Sequence, residues 1–510
     1  MPMTALFLNS LALLLLALNC GAAPVKDAGQ PRAADKGYNL LVISVTNIGT
    51  EHMSLYGYRR RTTPELGKWA AGALVFEDAF TPASWTLPAG TSLFTSLYPY
   101  THRIMGRNRN MQLSGKIKTL PEVLAAAGFE TAAFTGGLDY MGSLGHMRGF
   151  LTAPDNPPFT KFDVTMPQAS RWLAKNRGKR FFLFVHGYDA HPPFLPSKKF
   201  SGVFGSTEGK RVTIDPAFTY RGYRESGSAD ITAYYHEPRA VHDGFARKGF
   251  VSEKKVVLTP DDVDYLRDLY DDKVLETDRE VGAFLASLDD ALLERTIVVV
   301  LSEHGEMFAR HGRFGRAGAI RGTLYDDVVH VPLLIKIPGR PGGRVRGLAQ
   351  LTDVMPTLLE LLKVPAPGKI QGKSLMPMVD TGRPINDYVY AGTVYNSYMP
   401  ETYRPYGVAS INESIRNGDW KLIHEVTLPG GKGKKGGAPE SEEETFELYD
   451  LKADPGEAAN LAAARPEVVK DLAGKLKRWA ASAKDFIRAK PGSREISGEV
   501  LEQAKEHGYW

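Results

Sequence analysis

The feature that most constrains this chain is a set of short apolar runs with no polar face. Asn39 to Val45 (NLLVISV), Phe181 to His186 (FFLFVH), Thr296 to Leu301 (TIVVVL) and Leu333 to Ile337 (LLIKI) are rich in β-branched and aromatic residues. Strands apolar on both faces belong in a parallel sheet covered by helices on both sides. Leu120 to Ala127, Gln168 to Lys175, Asp261 to Leu288 and Asp353 to Leu362 carry helical periodicity between and after them. Strand–helix alternation of this kind predicts an α/β fold, a three-layer domain over residues 37–366 with a central, mostly parallel sheet.

The chain has 510 residues, too many for one small core, which predicts a second, smaller domain. Val364-Pro365-Ala366-Pro367-Gly368 is a stiff exit from the first. Beyond it, strands are expected near Tyr388 to Ala391, Glu413 to Asn417, Trp420 to Val426 and Thr445 to Leu451. A helix follows from Pro466 to about Ala483, giving a C-terminal α+β unit with an antiparallel sheet over 385–484 and a tail at 485–510. Residues 201–259, Gly- and charge-rich without periodicity, read as an insertion in the first domain. Gly430 to Glu444 reads as a solvated hairpin loop.

Residues 4–18 are nearly all apolar and run into small residues, so 1–23 is expected to be a signal peptide and the protein periplasmic or secreted. That stretch is short for a membrane span, so no transmembrane span is expected. Cys20 stands just after the apolar run, where a lipid anchor would be attached; removal with the leader is the other reading. It is the one cysteine, so the mature chain has no disulfide, no thiolate metal site and no cysteine nucleophile. Lys+Arg exceed Asp+Glu by 63 − 58 = 5, spread along the chain. A nucleic-acid binder concentrates its charge in a stripe, and none is evident.

In open parallel sheets ligands bind beyond the carboxyl ends of the strands. Those ends carry Thr46-Asn47, then His186 with Asp189 and His191, then Ser302-Glu303-His304-Gly305-Glu306 with His311 a few residues on. Ser84-Trp85-Thr86-Leu87-Pro88 precedes a helical stretch from Ala89 to Leu97. Thr86 there reads either as an N-terminal cap or as a nucleophile at the positive end of a helix.

The ordered blocks SLYGYRRRTTPELGKWAAGALVFEDAF, SWTLPAGTSLFTSLYP, FFLFVHGYDAHPPFLPSKKF, SEHGEMFARHG, LYDDVVHVPLLIKIPG and ELYDLKADPGEAANLA resemble the sulfatase family, within the alkaline-phosphatase-like superfamily. The resemblance implies hydrolysis of sulfate or phosphate esters at a divalent-metal site, Ca²⁺ or Zn²⁺. Carried over by position, it implies Thr46, Asn47, Glu303 and His304 as metal ligands, and Thr86, His191 and Arg321 as catalytic groups. His311 and Asp189 would bind the anionic group. Most of these residues depart from the family's pattern, which has aspartates after the first strand, Asp-His or Asp-Asn at 303–304 and a cation at position 90, where this chain has Gly90. Thr86 cannot become formylglycine, because oxidising a secondary alcohol gives a ketone. One carboxylate, one amide, one hydroxyl and one imidazole hold Ca²⁺ poorly and suit Zn²⁺ better. Two readings follow: an ester hydrolase with Thr86 attacking directly, or a silent pseudoenzyme that binds anionic glycans or lipids.

Overall fold

The computed structural model describes residues 37–105, 112–224, 228–236, 254–316, 324–395, 410–427 and 443–486. The expected leader with Cys20, the expected catalytic Arg321 and most of the Gly430 to Glu444 loop lie outside them. The first strands are β1 Asn39–Val45, β2 Leu74–Phe80, β3 Glu130–Phe134 and β4 Phe181–Gly187, followed by β5 Thr219–Arg224, β6 Ile231–His236 and β7 Lys254–Leu258. The chain continues through β8 Thr296–Leu301, β9 Arg313–Phe314, β10 Leu333–Lys336 and β11 Gly343–Gln350. It then makes β12 Val389–Tyr395, β13 Ser410–Arg416, β14 Trp420–Thr427 and β15 Glu443–Asp450.

The main sheet has seven strands in the order β11-β2-β10-β8-β1-β4-β3. The β3–β4, β4–β1, β1–β8 and β2–β11 pairings are parallel. β10, the LLIKI run, is the exception and lies antiparallel to both β8 and β2. Its apolar pattern reports burial on both faces and carries no information about direction, so the expectation of a parallel strand fails there.

Alternation along β1 explains why both faces are apolar. Leu41 and Ile43 face one layer, where they pack with Met166 and Leu173 of the helix Phe162–Asn176 and with Leu266 and Val274 of the helix Pro260–Ala286. Leu40 and Val42 face the other, with Leu93 and Phe94 of the helix Thr86–Thr95 and Met355 and Leu358 of the helix Val354–Leu361. Each such side chain, fully buried, contributes roughly 1.5–3 kcal/mol. Two layers of this kind fix the strand ends rigidly.

The 201–259 segment contains β5, β6 and β7, which form a small antiparallel sheet with β9. Only its length and composition were readable in the sequence. The last four strands form an antiparallel meander, β12-β13-β14-β15. Leu422 on β14 packs with Leu472, Leu476 and Trp479 of the helix Pro466–Phe486. Its neighbour Ile423 points the other way, onto Met307, Tyr325 and Val328 of the larger unit.

Candidate active site

β4, β1 and β8 lie side by side, with Ser44 level with both His186 and Leu301. Their carboxyl ends therefore bring Thr46-Asn47, His186 and Glu303-His304 to one place, although more than 250 residues separate the first from the last. The helix Thr86–Thr95 ends on the same spot. Trp85 occupies its N-cap position and makes no side-chain cap, so the cap reading of Thr86 is not realised. The Thr86 hydroxyl turns instead to His304 Nε2, 3.1 Å away. Thr46, Asn47, Glu303 and His304 are fully buried, and Thr86 is nearly so.

The hydrogen-bond directions in this cluster can be assigned from chemistry. The Gly136 N–H donates to His186 Nδ1 at 3.2 Å, which puts the ring proton on Nε2, 2.9 Å from Thr46 Oγ1. Thr46 donates its own proton to Glu303 Oε2. The other carboxylate oxygen, Oε1, accepts from Tyr140 at 2.5 Å. Glu303 thus has both oxygens engaged by hydroxyl donors.

A second chain starts at Arg316. Its guanidinium has no lone pair and stays protonated, so Nε donates to His304 Nδ1 at 2.9 Å. Nδ1 also lies 3.0 Å from the Gly305 carbonyl, which can only accept, so these two contacts ask for opposite tautomers of His304 and leave the direction of the Thr86 bond open. Burial, and next the Arg316 charge, hold His304 well below the usual imidazole range, so it stays neutral. Arg316 Nε also lies 3.8 Å from Glu306 Oε2, the oxygen that accepts from Asn47 Nδ2 at 2.6 Å.

Sulfatases ordinarily hold a divalent metal at this edge, but these residues do not fit one. A hard cation asks for several free carboxylate oxygens. Here each oxygen of the one carboxylate at the four carried-over positions already accepts from a hydroxyl, Tyr140 or Thr46, and the one donor atom there without a hydrogen bond, Asn47 Oδ1, is an amide oxygen. Each ring nitrogen of His304 is engaged, and Arg316 places a positive charge beside the donors.

Gly90 carries a second difference. A Cβ there would fall 2.6 Å from the Tyr140 hydroxyl and 2.9 Å from its ring, so the space beside the helix is taken by Tyr140. A cation at position 90 and Tyr140 in this pose exclude each other.

The other expected site residues are placed elsewhere. His191 lies at the margin; its Nδ1 donates to the Pro192 carbonyl at 2.7 Å, and its ring packs on Phe159 and Tyr188. Asp189 accepts from the Phe162 N–H at 2.9 Å and neighbours Glu280; burial pushes both carboxyls up. His311 stacks on Tyr325 at 3.8 Å, against the C-terminal sheet. Tyr140 and Arg316 are the participants that sequence reasoning missed, whereas Glu306 belongs to the expected strand-end run Ser302-Glu303-His304-Gly305-Glu306. The signals were slight: a Gly-Gly turn after an unread strand for Tyr140, and for Arg316 one of four arginines in the Gly-rich stretch 310–322.

A doubly covered α/β sheet with a helix N-terminus and polar strand ends meeting at its carboxyl edge defines an alkaline-phosphatase-like ester-hydrolase architecture. The sulfatase family model matches residues 38–364, and the model of the N-sulphoglucosamine sulphohydrolase C-terminal region matches 320–482. An N-acetylglucosamine-6-O-sulfatase of Bacteroides thetaiotaomicron is 23% identical over 88% of this chain and 86% of its own. Arylsulfatase K of Bos taurus is 25% identical over 91% and 86%. Among solved structures, a 2-O GAG sulfatase superposes with a TM-score of 0.63 at 20% identity, covering 91% of this chain and 98% of that one. The chain belongs to the sulfatase family of sulfate-ester hydrolases.

Proposed function

We propose that this chain is a sulfatase-family protein that recognises anionic sugar esters and does not turn them over by the family's metal and formylglycine route. One observation carries this reading, the Glu303 carboxylate, whose two oxygens each already accept from a hydroxyl, Thr46 or Tyr140. The Gly90–Tyr140 exchange agrees with it. A base must accept the nucleophile's proton. Arg316 Nε and the Gly305 carbonyl both contact His304 Nδ1 and ask for opposite tautomers, so His304 is not held as that base. The competing reading, direct attack by Thr86, draws on the 3.1 Å contact between Thr86 and His304. It needs His304 Nε2 unprotonated, the tautomer that donates from Nδ1 to the Gly305 carbonyl in place of the Arg316 contact.

The ligand class follows from the relatives, whose names specify sulfated sugars. Export through the N-terminal segment belongs to the same proposal; among the described residues no helix is long and apolar enough to cross a membrane. The test is hydrolysis of 4-nitrophenyl sulfate and 4-nitrophenyl phosphate by the protein and by Thr86→Ala, beside binding to sulfated and desulfated glycosaminoglycan. Equal, background-level rates with binding only to the sulfated glycan are expected. A rate tenfold above that of Thr86→Ala overturns the proposal, as does indifference to sulfation.

A further inference from the structure

Away from the strand ends, an open cleft of about 370 Å³ lies between the helix Pro260–Ala286, the insertion and residues 308–310. Its size falls within the range of small-molecule sites, about 300–1,000 Å³. His52, only 8% exposed, forms part of the wall. Behind it stands Asp271, fully buried, whose Oδ2 accepts from the Tyr58 hydroxyl and from the Arg60 guanidinium, each at 2.7 Å. Burial works against ionisation of Asp271, but His52, Tyr58 and Arg60 outweigh it, and the carboxyl stays below its usual range.

The other oxygen, Oδ1, lies 2.6 Å from His52 Nδ1. An ionised carboxylate can only accept, so the His52 ring proton sits on Nδ1. The rings of Tyr58, Tyr270 and Phe308 hold the imidazole in place, with centroids at 5.1, 4.9 and 5.3 Å. With Nδ1 turned to Asp271, the edge that His52 lends to the cleft is that of Nε2, which has no hydrogen-bond partner among the described residues. Anchoring one nitrogen of an imidazole on a carboxylate aims the other, as a lone pair, at whatever enters.

The charges of the lining decide what that is. Arg267 pairs with Asp264 at 2.5 Å, and Arg310 with Asp327 Oδ1 at 3.3 Å. All four line the cleft, two cations against two carboxylates. An anion there would face both carboxylates, and a cation both guanidiniums. The pairs nevertheless keep hydrogen-bonding capacity, because a guanidinium has five N–H groups and a carboxylate has two oxygens. Val263 and Phe308 add apolar surface to the wall. Donors, acceptors and apolar surface without net charge match an uncharged sugar ring, with its hydroxyls at the edge and its C–H groups on the faces.

We infer that this cleft is a second binding site, for an uncharged sugar, in which His52 Nε2 accepts from a ligand hydroxyl. It is separate from the strand-end cluster and does not depend on how that cluster is read.

The experiment is calorimetric titration of the full chain with N,N′-diacetylchitobiose, an uncharged disaccharide. Diethyl pyrocarbonate, which attacks unprotonated imidazole nitrogen, labels His52 in parallel. A dissociation constant on the order of 1 mM is expected, with labelling of His52 slowed at least fivefold by saturating sugar. Ala229 is an exposed residue of the cleft wall, so Ala229→Trp fills the opening without disturbing the core. Arg267→Ala removes a donor from a partly exposed position. Each variant should weaken binding at least tenfold. Absence of binding at about 50 mM disaccharide overturns the inference. So does unchanged affinity in both variants, or His52 labelling that is indifferent to the sugar.

Discussion

His146 is a buried imidazole behind the strand-end cluster, with its ring 5.7 Å from that of Tyr140 and stacked near Phe94. It is fully buried and neither ring nitrogen makes a hydrogen bond. Burial lowers its pKa from 6.5 to about 4, outweighing the nearby Asp139 charge. The folded state therefore binds fewer protons than the unfolded chain between about pH 4 and 6.5, and stability falls as pH drops through that window. At pH 5 the contribution against folding is about 2 kcal/mol, and at pH 7.5 it is close to zero. His146→Phe removes the proton site together with the Asp139 backbone contact that opposes the shift. The larger ring costs about 1–3 kcal/mol by overpacking, equally at both pH values. Urea unfolding at pH 7.5 and pH 5.0 measures the difference. The variant should lose about 2 kcal/mol less than the unaltered chain on acidification. Other groups that titrate here, such as Asp353, raised to about 6 by burial, are common to both proteins and cancel. An identical pH dependence in the two proteins would refute the argument.

Two further substitutions test the packing around the site. Gly305 separates His304 from Glu306, and a Cβ there would lie 2.1 Å from the Asp327 carbonyl and 3.0 Å from Gly49 Cα. Both obstacles are backbone, so Gly305→Ala should cost about 3 kcal/mol, read as a lowered urea midpoint. Lys421 is 1% exposed and serves both Asp326 and Glu457. Lys421→Met should cost about 3 kcal/mol at neutral pH, because it leaves buried carboxylates under-compensated. A loss below 1 kcal/mol would show that the pair is satisfied without it.

The sequence made the sheet's centre legible and its margins obscure. β1, β4 and β8 are buried on both faces, so their apolar runs stand out. β11, at the sheet's edge, reads GRVRGLAQ, and β2 beside it carries Glu77 and Asp78, so neither shows an unbroken apolar run. The meeting of Thr46, His186, Glu303 and His304 was predictable from strand ends alone. Arg316 was not, because its role depends on a loop folding back over β8, and no periodicity records that. Arg321 was chosen for its place before the Leu324-Tyr325-Asp326-Asp327 block, while the guanidinium at His304 belongs to a residue five positions earlier. His311 and Asp189 were grouped with the strand ends by proximity in sequence. One turn of chain sends each to a different neighbour.

The donor chain from Gly136 through His186 and Thr46 to Glu303 has a historical consequence. The family's pattern places an aspartate where Thr46 stands. Returning that residue alone would set a second carboxylate against Glu303, in a fully buried place, with Tyr140 still filling the space beside Gly90. Like charges pressed together without a cation are strongly unfavourable. Restoring an aspartate at position 46 thus runs uphill unless Glu303 or Tyr140 changes with it. The substitutions hold one another in place, like a ratchet that has clicked past its last tooth.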